Sequence, residues 1–141
     1  MTFSDLGLTD ALVRALDAKG YETPTPIQRD AIPIVLTGRD LLGIAQTGTG
    51  KTAAFVLPSI QRLAESHKKL LPTHCRMLVL APTRELASQI AENARGYGRN
   101  SRLSVATVFG GTSINKNRND LSRGVDILVA TPGRLIDLVE R

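Results

Sequence analysis

The stretch Ala45-Gln46-Thr47-Gly48-Thr49-Gly50-Lys51-Thr52 decides the fold of this chain. It ends the apolar run 41–45, and a segment with helical periodicity begins near Lys51. A strand, a glycine-rich turn and a helix therefore occur in the order that phosphate binding requires. Gly48 and Gly50 allow the backbone to turn tightly enough to direct several N–H groups at an anion, and the helix N-terminus adds partial positive charge.

Two side chains at the end of this loop suit a bound nucleotide. Lys51 is expected to reach the β- and γ-phosphates, and Thr52 is expected to be a Mg²⁺ ligand, so both are candidate catalytic residues. The general pattern G-x-x-x-x-G-K-[ST] has glycine where this chain has Ala45. A flexible Gly/Thr turn without a ligand is the alternative. The sequence predicts instead a nucleotide cradle comprising Ala45, Gln46, Thr47, Gly48, Thr49, Gly50, Lys51 and Thr52.

Outward from this loop, short apolar runs alternate with helical patterns. The apolar runs fit strands that are buried on both faces of a parallel sheet, and they cover residues 41–45, 77–81, 105–109 and 127–130. Helical patterns cover residues 51–66, 84–98, more weakly 112–122, and 132–140. This alternation predicts an α/β fold with a mostly parallel sheet flanked by helices.

Two shorter helices are expected before the sheet. The first covers residues 10–19, with Thr9 as its N-cap and Gly20 as a left-handed C-cap. The second starts at Thr25-Pro26 and ends before Gly38.

Composition limits the chain to one globular domain, with 141 residues of which 42% are hydrophobic and 22% charged. The net charge of +5 is concentrated between residues 93 and 124, which suits an anionic partner, although a solvated surface explains the charge alone. The single cysteine, Cys75, excludes an internal disulfide. Since neither a leader-like nor a membrane-spanning apolar segment stands in the sequence, we expect a cytoplasmic protein without a membrane partner.

Five segments in order resemble the motifs of the DEAD-box RNA helicases. In that family the phosphate loop reads Ala-x-Thr-Gly-x-Gly-Lys-Thr, so Ala45 fits its form. Residues 20–28, Gly-Tyr-Glu-Thr-Pro-Thr-Pro-Ile-Gln, resemble the Q motif, and Phe3 stands where an isolated upstream aromatic is expected. Residues 82–87 resemble motif Ia; residues 110–111 match the GG doublet and residues 131–134 motif Ib. The resemblance is closest to bacterial members with a minimal N-terminus.

The resemblance implies a RecA-like P-loop domain and an ATP-dependent RNA helicase, which couples ATP hydrolysis to the unwinding or remodelling of RNA duplexes. It implies ATP and Mg²⁺ as cofactors. Gln28 would accept from the exocyclic amine of adenine and donate to the adjacent ring nitrogen, which selects ATP over GTP. Phe3 and Tyr21 would supply apolar surface beside the base, with ordinary core packing as the alternative for each.

The three downstream motifs imply contacts with the RNA sugar-phosphate backbone. Their residues combine hydroxyls, close-approach glycines, helix starts and arginines, which suit phosphate oxygens: Pro82, Thr83, Arg84, Gly110, Gly111, Thr131, Pro132, Gly133 and Arg134. None of these motifs presents an obvious base-reading group, so we expect RNA binding that is sequence-independent and salt-sensitive. Each motif alone has a structural alternative, such as an ion pair between Arg84 and a nearby acid.

The chain ends at Arg141, before the family's Asp-Glu-Ala-Asp and Ser-Ala-Thr motifs. We therefore expect residues 1–38 to form a Q-motif helical region and residues 39–141 a partial first RecA-like domain, truncated before the DEAD-motif strand, with the second RecA-like domain absent. We expect the chain alone to be inactive as an ATPase and to self-associate through uncovered strand edges.

Two other functions stay open at this point. A P-loop NTPase of another class would prefer a different nucleotide, such as GTP. A non-enzymatic RNA-binding or regulatory fragment would bind RNA without regard to nucleotide.

Overall fold

The computed structural model describes residues 2–43, 50–66, 71–98, 103–109 and 121–140. The chain divides into two compact units. The first comprises Met1–Ser66 with Gly96–Arg102, and the second comprises His67–Arg95 with Leu103–Arg141. The division into residues 1–38 and 39–141 follows the motifs, and it stays a prediction.

The first unit is built from helices. A single 3₁₀ turn, Phe3–Leu6, precedes α1 (Asp10–Ala18), α2 (Pro26–Leu36) and α3 (Lys51–Glu65). Apolar side chains from all three α-helices are fully buried, and together they form the core of this unit: Leu12, Leu16, Ile32, Val56, Leu57 and Ile60. The helices predicted over 10–19, from Thr25-Pro26 and over 51–66 are therefore confirmed.

The C-terminus of α1 is closed as the sequence predicts. Gly20 has a φ of +81°, a left-handed conformation that glycine adopts without steric cost. The N–H of Gly20 donates to the carbonyl of Asp17, and the N–H of Tyr21 donates to the carbonyl of Leu16, each over 3.0 Å. This pair of bonds is a Schellman motif, which satisfies two carbonyls that the helix end leaves unpaired.

A buried glutamine ties the N-terminal segment to α3. Gln61 is 8% exposed. Its Oε1 accepts from the N–H of Thr9 at 2.8 Å, and its Nε2 donates to the carbonyl of Gly7 at 2.9 Å. Thr9 occupies the predicted N-cap position of α1, but its side chain makes no capping bond. The backbone around α1's start is therefore anchored by Gln61 rather than by the Thr9 hydroxyl.

Replacement of Gln61 by leucine is expected to lower the free energy of unfolding by about 1–3 kcal/mol. The substitution removes both hydrogen bonds of the buried Gln61 side chain, those with the N–H of Thr9 and the carbonyl of Gly7, and each such bond contributes about 0.5–1.5 kcal/mol. Urea denaturation measures the change. Gln89→Leu, on the exposed surface of the chain, is the matched control and is expected to stay within about 0.5 kcal/mol of the wild type. Equal effects of the two substitutions would contradict this account of Gln61.

The second unit contains a parallel sheet of three described strands. They are β1 (Cys75–Leu80), β2 (Val105–Val108) and β3 (Val125–Ala130), in the order β1-β3-β2. β3 is buried along its whole length, as a central strand covered on both faces must be. Helix α4 (Arg84–Tyr97) follows β1 in the chain, and α5 (Pro132–Glu140) follows β3. Predicted strands and helices at these places are confirmed, and with them the α/β class.

One side of this sheet carries an apolar cluster that includes α5. Val108, Leu128 and Ala130 are buried there, and Leu135 and Leu138 of α5 pack against them. The register aligns the strand ends, because Leu80 of β1 and Val108 of β2 both pair with Ala130 of β3. The segments that follow the three strands therefore start at one level, on the carboxyl edge of the sheet.

The opposite edge of the sheet is held by a buried carboxylate. Asp126 is 9% exposed. Its Oδ1 accepts from Nη1 of Arg76 at 3.0 Å, and its Oδ2 accepts from the N–H and the hydroxyl of Ser104 at 2.9 and 3.2 Å. A buried carboxylate requires this degree of pairing. The role of Asp126 is therefore structural, since its bonds join the amino ends of the three strands.

Two predicted elements do not appear as expected. Leu41–Gly43 form no strand, and Leu42 is 86% exposed, so the prediction for 41–45 is wrong in its described part. An apolar run becomes a strand only where a neighbour pairs with it, and in the described residues none pairs with this one. The rest of that run, and nearly all of the weak helix predicted over 112–122, lies outside the described residues. None of the described helices has the length and apolar character needed to span a membrane.

Candidate functional site

The start of α2 is fixed by a reciprocal pair of hydrogen bonds. Thr25 is the N-cap and Pro26 the first helical residue, as predicted. Oγ1 of Thr25 accepts from the N–H of Gln28 at 3.4 Å, and Oε1 of Gln28 accepts from the N–H of Thr25 at 3.0 Å. This capping box orients the Gln28 side chain, because its carbonyl must turn back towards the helix start.

The same glutamine reaches the beginning of α3. Nε2 of Gln28 donates to the carbonyl of Gly50 at 3.3 Å, and the Gln28 side chain is only 7% exposed. Gly50 is the N-cap of α3 with a φ of +86°. A Cβ on Gly50 would overlap Nε2 of Gln28 and lie 3.1 Å from Oγ1 of Thr25. The turn into α3 therefore requires glycine both for its backbone conformation and for the space that Gln28 occupies.

The first turn of α3 is an anion site by its chemistry. Lys51 and Thr52 are the first two residues of α3, and the first turn of this helix contains no acidic residue. Ala54 donates its N–H to the carbonyl of Gly50, while the N–H groups that precede it have no acceptor within the helix. N–H groups without an acceptor inside the helix, the helix dipole and the exposed Lys51 ammonium all favour a phosphate.

The remainder of the predicted cradle, Ala45, Gln46, Thr47, Gly48 and Thr49, lies outside the described residues. Thr52 is half-buried, and its hydroxyl stays the predicted Mg²⁺ ligand. In the described part of the chain, His, Cys, Asp and Glu side chains form no group of three or more that would hold a metal ion.

The two aromatic residues expected beside a base differ in exposure. Phe3 is 4% exposed and belongs to the buried apolar set of the first unit, which fits the core-packing alternative. Tyr21 is 45% exposed, so part of its ring is accessible to a ligand. Their predicted contacts with a base stay predictions.

Tyr21 stands beside a second, buried tyrosine. Tyr97, at the end of α4, is 3% exposed, and Nζ of Lys19 lies 5.1 Å from the centroid of its ring. Burial first of all, and then the charge and hydroxyl of Tyr21, raise the pKa of Tyr97 to about 12. The folded state therefore favours the neutral phenol.

Alkaline pH is expected to destabilise the first unit through Tyr97. Since its folded pKa lies above its ordinary value of about 10, the stabilisation is complete below pH 10 and is lost as the pH rises towards 12. Denaturation of the wild type and Tyr97→Phe at pH 8 and at pH 11 measures this. The advantage of the wild type over the variant is expected to shrink at pH 11. An unchanged difference would show that Tyr97 ionises at its ordinary pKa.

A second group of predicted residues lies at the carboxyl edge of the sheet. The N–H of Ala81 donates to the carbonyl of Ala130 at 3.0 Å, and the N–H of Thr131 donates to the carbonyl of Val108 at 2.9 Å. These bonds continue the strand pairing to the points where α4 and α5 begin. The predicted residues of motifs Ia and Ib therefore share one edge in the second unit: Pro82, Thr83, Arg84, Thr131, Pro132, Gly133 and Arg134. Gly110 and Gly111 lie outside the described residues.

Local geometry at this edge leaves donors available. Oγ1 of Thr83 accepts from the N–H of Leu86 at 3.2 Å, which caps α4, and the hydroxyl proton of Thr83 has no acceptor among the described residues. Gly133 has open space where a side chain would stand. Arg134 is half-buried, and Arg84 is exposed. Two helix N-termini, a hydroxyl and two guanidinium groups thus lie on one edge, which suits a polyanion.

The ion pair that the sequence leaves open for Arg84 is not seen among the described residues, where no carboxylate lies within ion-pairing distance of it. Its guanidinium carbon lies 5.3 Å from the ring centroid of Phe109 instead. Phe109 follows β2, and it is half-buried.

Sequence reasoning missed two residues that the structure shows to make long-range contacts, Gln61 and Phe109. It predicted Thr25 as the start of α2 but not the reciprocal bond from Gln28, although the Thr25-x-x-Gln28 spacing is itself a capping-box signal. Gln61 and Phe109 carry no such signal. The hydrogen-bond partners of Gln61 lie 52 and 54 residues away in the chain. Phe109 meets Arg84 only because the strands that precede them end at one level.

Comparisons with known proteins agree on one family. The model of the DEAD/DEAH box helicase family matches residues 25–141. The chain is 48% identical over 150 residues to DEAD-box ATP-dependent RNA helicase 52A of Oryza sativa subsp. japonica, covering 99% of this chain and 25% of that protein. It is 47% identical over 140 residues to RNA helicase CrhR of Synechocystis sp., covering 99% of this chain and 27% of that protein.

A solved structure gives the same result. The RNA helicase Prp28 from Chaetomium thermophilum, bound to ADP, matches with a TM-score of 0.87 and 45% identity, covering 99% of this chain and 34% of that chain. The chain thus spans about a quarter to a third of the length of these relatives.

Proposed function

Because the chain belongs to the DEAD/DEAH box helicase family, we propose that it binds Mg²⁺·ATP in its first unit and the RNA sugar-phosphate backbone in its second. We further propose that a parent protein that also carries the family's remaining motifs couples ATP hydrolysis to the unwinding or remodelling of RNA duplexes, and that the 141 residues alone do not hydrolyse ATP. Two relatives bear names that describe ATP-dependent RNA helicases, and the solved relative is bound to ADP.

One observation carries the nucleotide part of this proposal. Gln28, the residue proposed to read the base, donates to Gly50, the residue that begins the phosphate-binding helix. A single buried side chain therefore links the base-reading position to Lys51 and Thr52.

Gln28 keeps enough hydrogen-bonding capacity for adenine. A side-chain amide has two acceptor lone pairs and two N–H donors. In its bonds with described residues, Gln28 uses one lone pair for the N–H of Thr25 and one donor for the carbonyl of Gly50, which leaves one of each. The remaining lone pair would accept from the exocyclic amine of adenine, and the remaining N–H would donate to the neighbouring ring nitrogen. Guanine has a carbonyl in place of that amine, so two acceptors would face each other.

Lys51 and Thr52 would act on the phosphates. The Lys51 ammonium would neutralise charge on the β- and γ-phosphates, and the Thr52 hydroxyl would hold Mg²⁺, which prefers oxygen ligands. When bound, the Mg²⁺ supplies charge that offsets the negative charge of the transferred phosphoryl group.

The RNA part rests on the carboxyl edge of the sheet. The starts of α4 and α5 lie at one level, and both carry an arginine in their first turn, Arg84 and Arg134. One guanidinium group can bind two phosphate oxygens at once, and helix N-termini add further N–H donors. Since these groups recognise phosphate rather than bases, binding is proposed to be independent of RNA sequence.

Fluorescence anisotropy with labelled single-stranded RNA tests this surface. Two RNAs of unrelated sequence are expected to bind with similar affinity, and affinity is expected to fall steeply as salt rises. Arg134→Ala is expected to weaken binding about ten-fold, as the loss of a charge-assisted hydrogen bond predicts. Arg14→Ala removes an exposed arginine of α1 and is the matched control. If both variants lose equal affinity, RNA binding reflects net charge and the proposed surface is wrong.

The family match disfavours both other functions considered for the sequence, a P-loop NTPase of another class and a non-enzymatic fragment. Self-association and a location in the cytoplasm stay predictions.

A further inference from the structure

We propose that Phe109 is a positioning residue for RNA binding, whose ring holds the Arg84 guanidinium in the orientation that grips a backbone phosphate. This inference rests on the proposed RNA-binding function. It adds a residue outside the recognised motifs, since Phe109 precedes the Gly110-Gly111 doublet in the chain.

The two side chains come from different strands. Arg84 follows β1 and Phe109 follows β2, and in the sheet order β1-β3-β2 the strand β3 lies between them. Both outer strands pair with Ala130 at their last residue, so the side chains that follow can meet across the end of β3. The guanidinium carbon lies 5.3 Å from the ring centroid, within the distance for a cation–π contact.

The position of Arg84 argues against a purely structural purpose. It is the first residue of α4, where the helix dipole disfavours a positive charge. Arg84 is exposed, and within the described part of the chain no carboxylate pairs with it. A cation held at an unfavourable helix position, without a carboxylate partner, suits an external anion.

The contact with Phe109 leaves the hydrogen-bonding groups of Arg84 available, because a phenylalanine ring carries no oxygen or nitrogen acceptor. The five N–H donors of the guanidinium lie in its plane and can bind two phosphate oxygens at once. Arginine has many rotamers, and ordering it on binding costs free energy. An arginine already held against Phe109 is ordered before RNA arrives, which strengthens binding without any direct contact between Phe109 and RNA.

A double-mutant cycle separates this role from others. The variants are Phe109→Leu, which removes the ring and keeps apolar volume, Phe109→Tyr, which keeps the ring, Arg84→Ala, and Phe109→Leu combined with Arg84→Ala. Phe55→Leu is the matched control, because it removes a partly exposed phenylalanine in α3. The readout is the anisotropy of a labelled single-stranded oligouridylate, with the affinity for an ATP analogue measured alongside.

Phe109→Leu is expected to weaken RNA binding about two- to five-fold, the effect of one exposed cation–π contact. Phe109→Tyr and Phe55→Leu are expected to bind RNA as the wild type does. In the Arg84→Ala background, Phe109→Leu is expected to cause no further loss. A persistent loss in that background would mean that Phe109 stacks on a base directly, and it would overturn the proposal.

Nuclear magnetic resonance tests the contact without RNA. The side-chain protons of Arg84 are expected to be shifted upfield by the ring in the wild type and in Phe109→Tyr, and to lose that shift in Phe109→Leu. Identical Arg84 shifts in all three proteins would overturn the proposal.

If Arg84→Ala leaves RNA affinity unchanged, the proposed function of Arg84 fails and this inference fails with it. If Arg84→Ala weakens binding but Phe109→Leu does not, only the inference fails.

Discussion

Replacement of Lys51 by alanine is expected to weaken binding of Mg²⁺·ATP by about ten- to a hundred-fold without lowering thermal stability. Lys51 is exposed at the first position of α3, so its removal leaves no buried group unpaired. The loss comes from a charge-assisted bond to phosphate, for which about 1.5–3 kcal/mol is usual. Titration with a fluorescent ATP analogue in the presence of Mg²⁺ measures the change.

Arg62→Ala is the matched control for this substitution. It removes one exposed positive charge from the last turn of the same helix, far along the chain from the phosphate-binding turn. Nucleotide affinity in this variant is expected to stay within about two-fold of the wild type, since exposed charges at that separation are screened. An ATP affinity that Lys51→Ala does not reduce would contradict the assignment of the first turn of α3 to phosphate.

Replacement of Gly50 by alanine is expected to lower the free energy of unfolding by about 2–4 kcal/mol and to abolish nucleotide binding. The left-handed conformation costs a residue with a Cβ about 1–2 kcal/mol. The new Cβ would also displace Gln28, and a disrupted N-cap costs about 0.5–2 kcal/mol more. Displaced Gln28 would no longer face the base, and the turn that presents Lys51 would shift.

Gly20→Ala separates the two causes of instability. Gly20 also has a positive φ, +81°, but an added Cβ there meets nothing within 4 Å. Gly20→Ala is therefore expected to lower the free energy of unfolding by about 1–2 kcal/mol, which is the cost of the left-handed conformation alone. Urea denaturation of both variants gives the comparison. If Gly20→Ala and Gly50→Ala destabilise the protein equally, the packing of Gln28 against Gly50 contributes nothing.

Much of this fold follows from local sequence rules. The Schellman end of α1 needs only Gly20, and the start of α2 needs only Thr25 and Pro26, because capping depends on residues a few positions apart. Parallel strands that are buried on both faces consist of continuous apolar residues. Such a run over residues 127–130 predicted β3, which is buried along its whole length. The RecA-like α/β fold that the motifs implied is confirmed by the family match and the solved relative.

Other features depend on contacts that no local pattern encodes. The run from Leu41 is as apolar as β1, yet Leu41–Gly43 form no strand, because pairing and not composition makes a strand. The link from Gln28 to Gly50 spans 22 residues and that from Gln61 to Gly7 spans 54, so both require the packed helices before they exist. Motif resemblance identified Gln28 as a candidate, but only the structure gives the neighbours that hold it.

Competition between ATP and GTP for this chain tests the central claim most directly. The claim is that Gln28, held by Thr25 and Gly50, joins a base-reading position to the phosphate-binding start of α3. With a fluorescent ATP analogue bound in the presence of Mg²⁺, unlabelled ATP is expected to displace it at a concentration at least about ten-fold lower than GTP, because guanine leaves buried polar groups unpaired. Equal displacement by the two nucleotides, or no binding of either, would contradict the account.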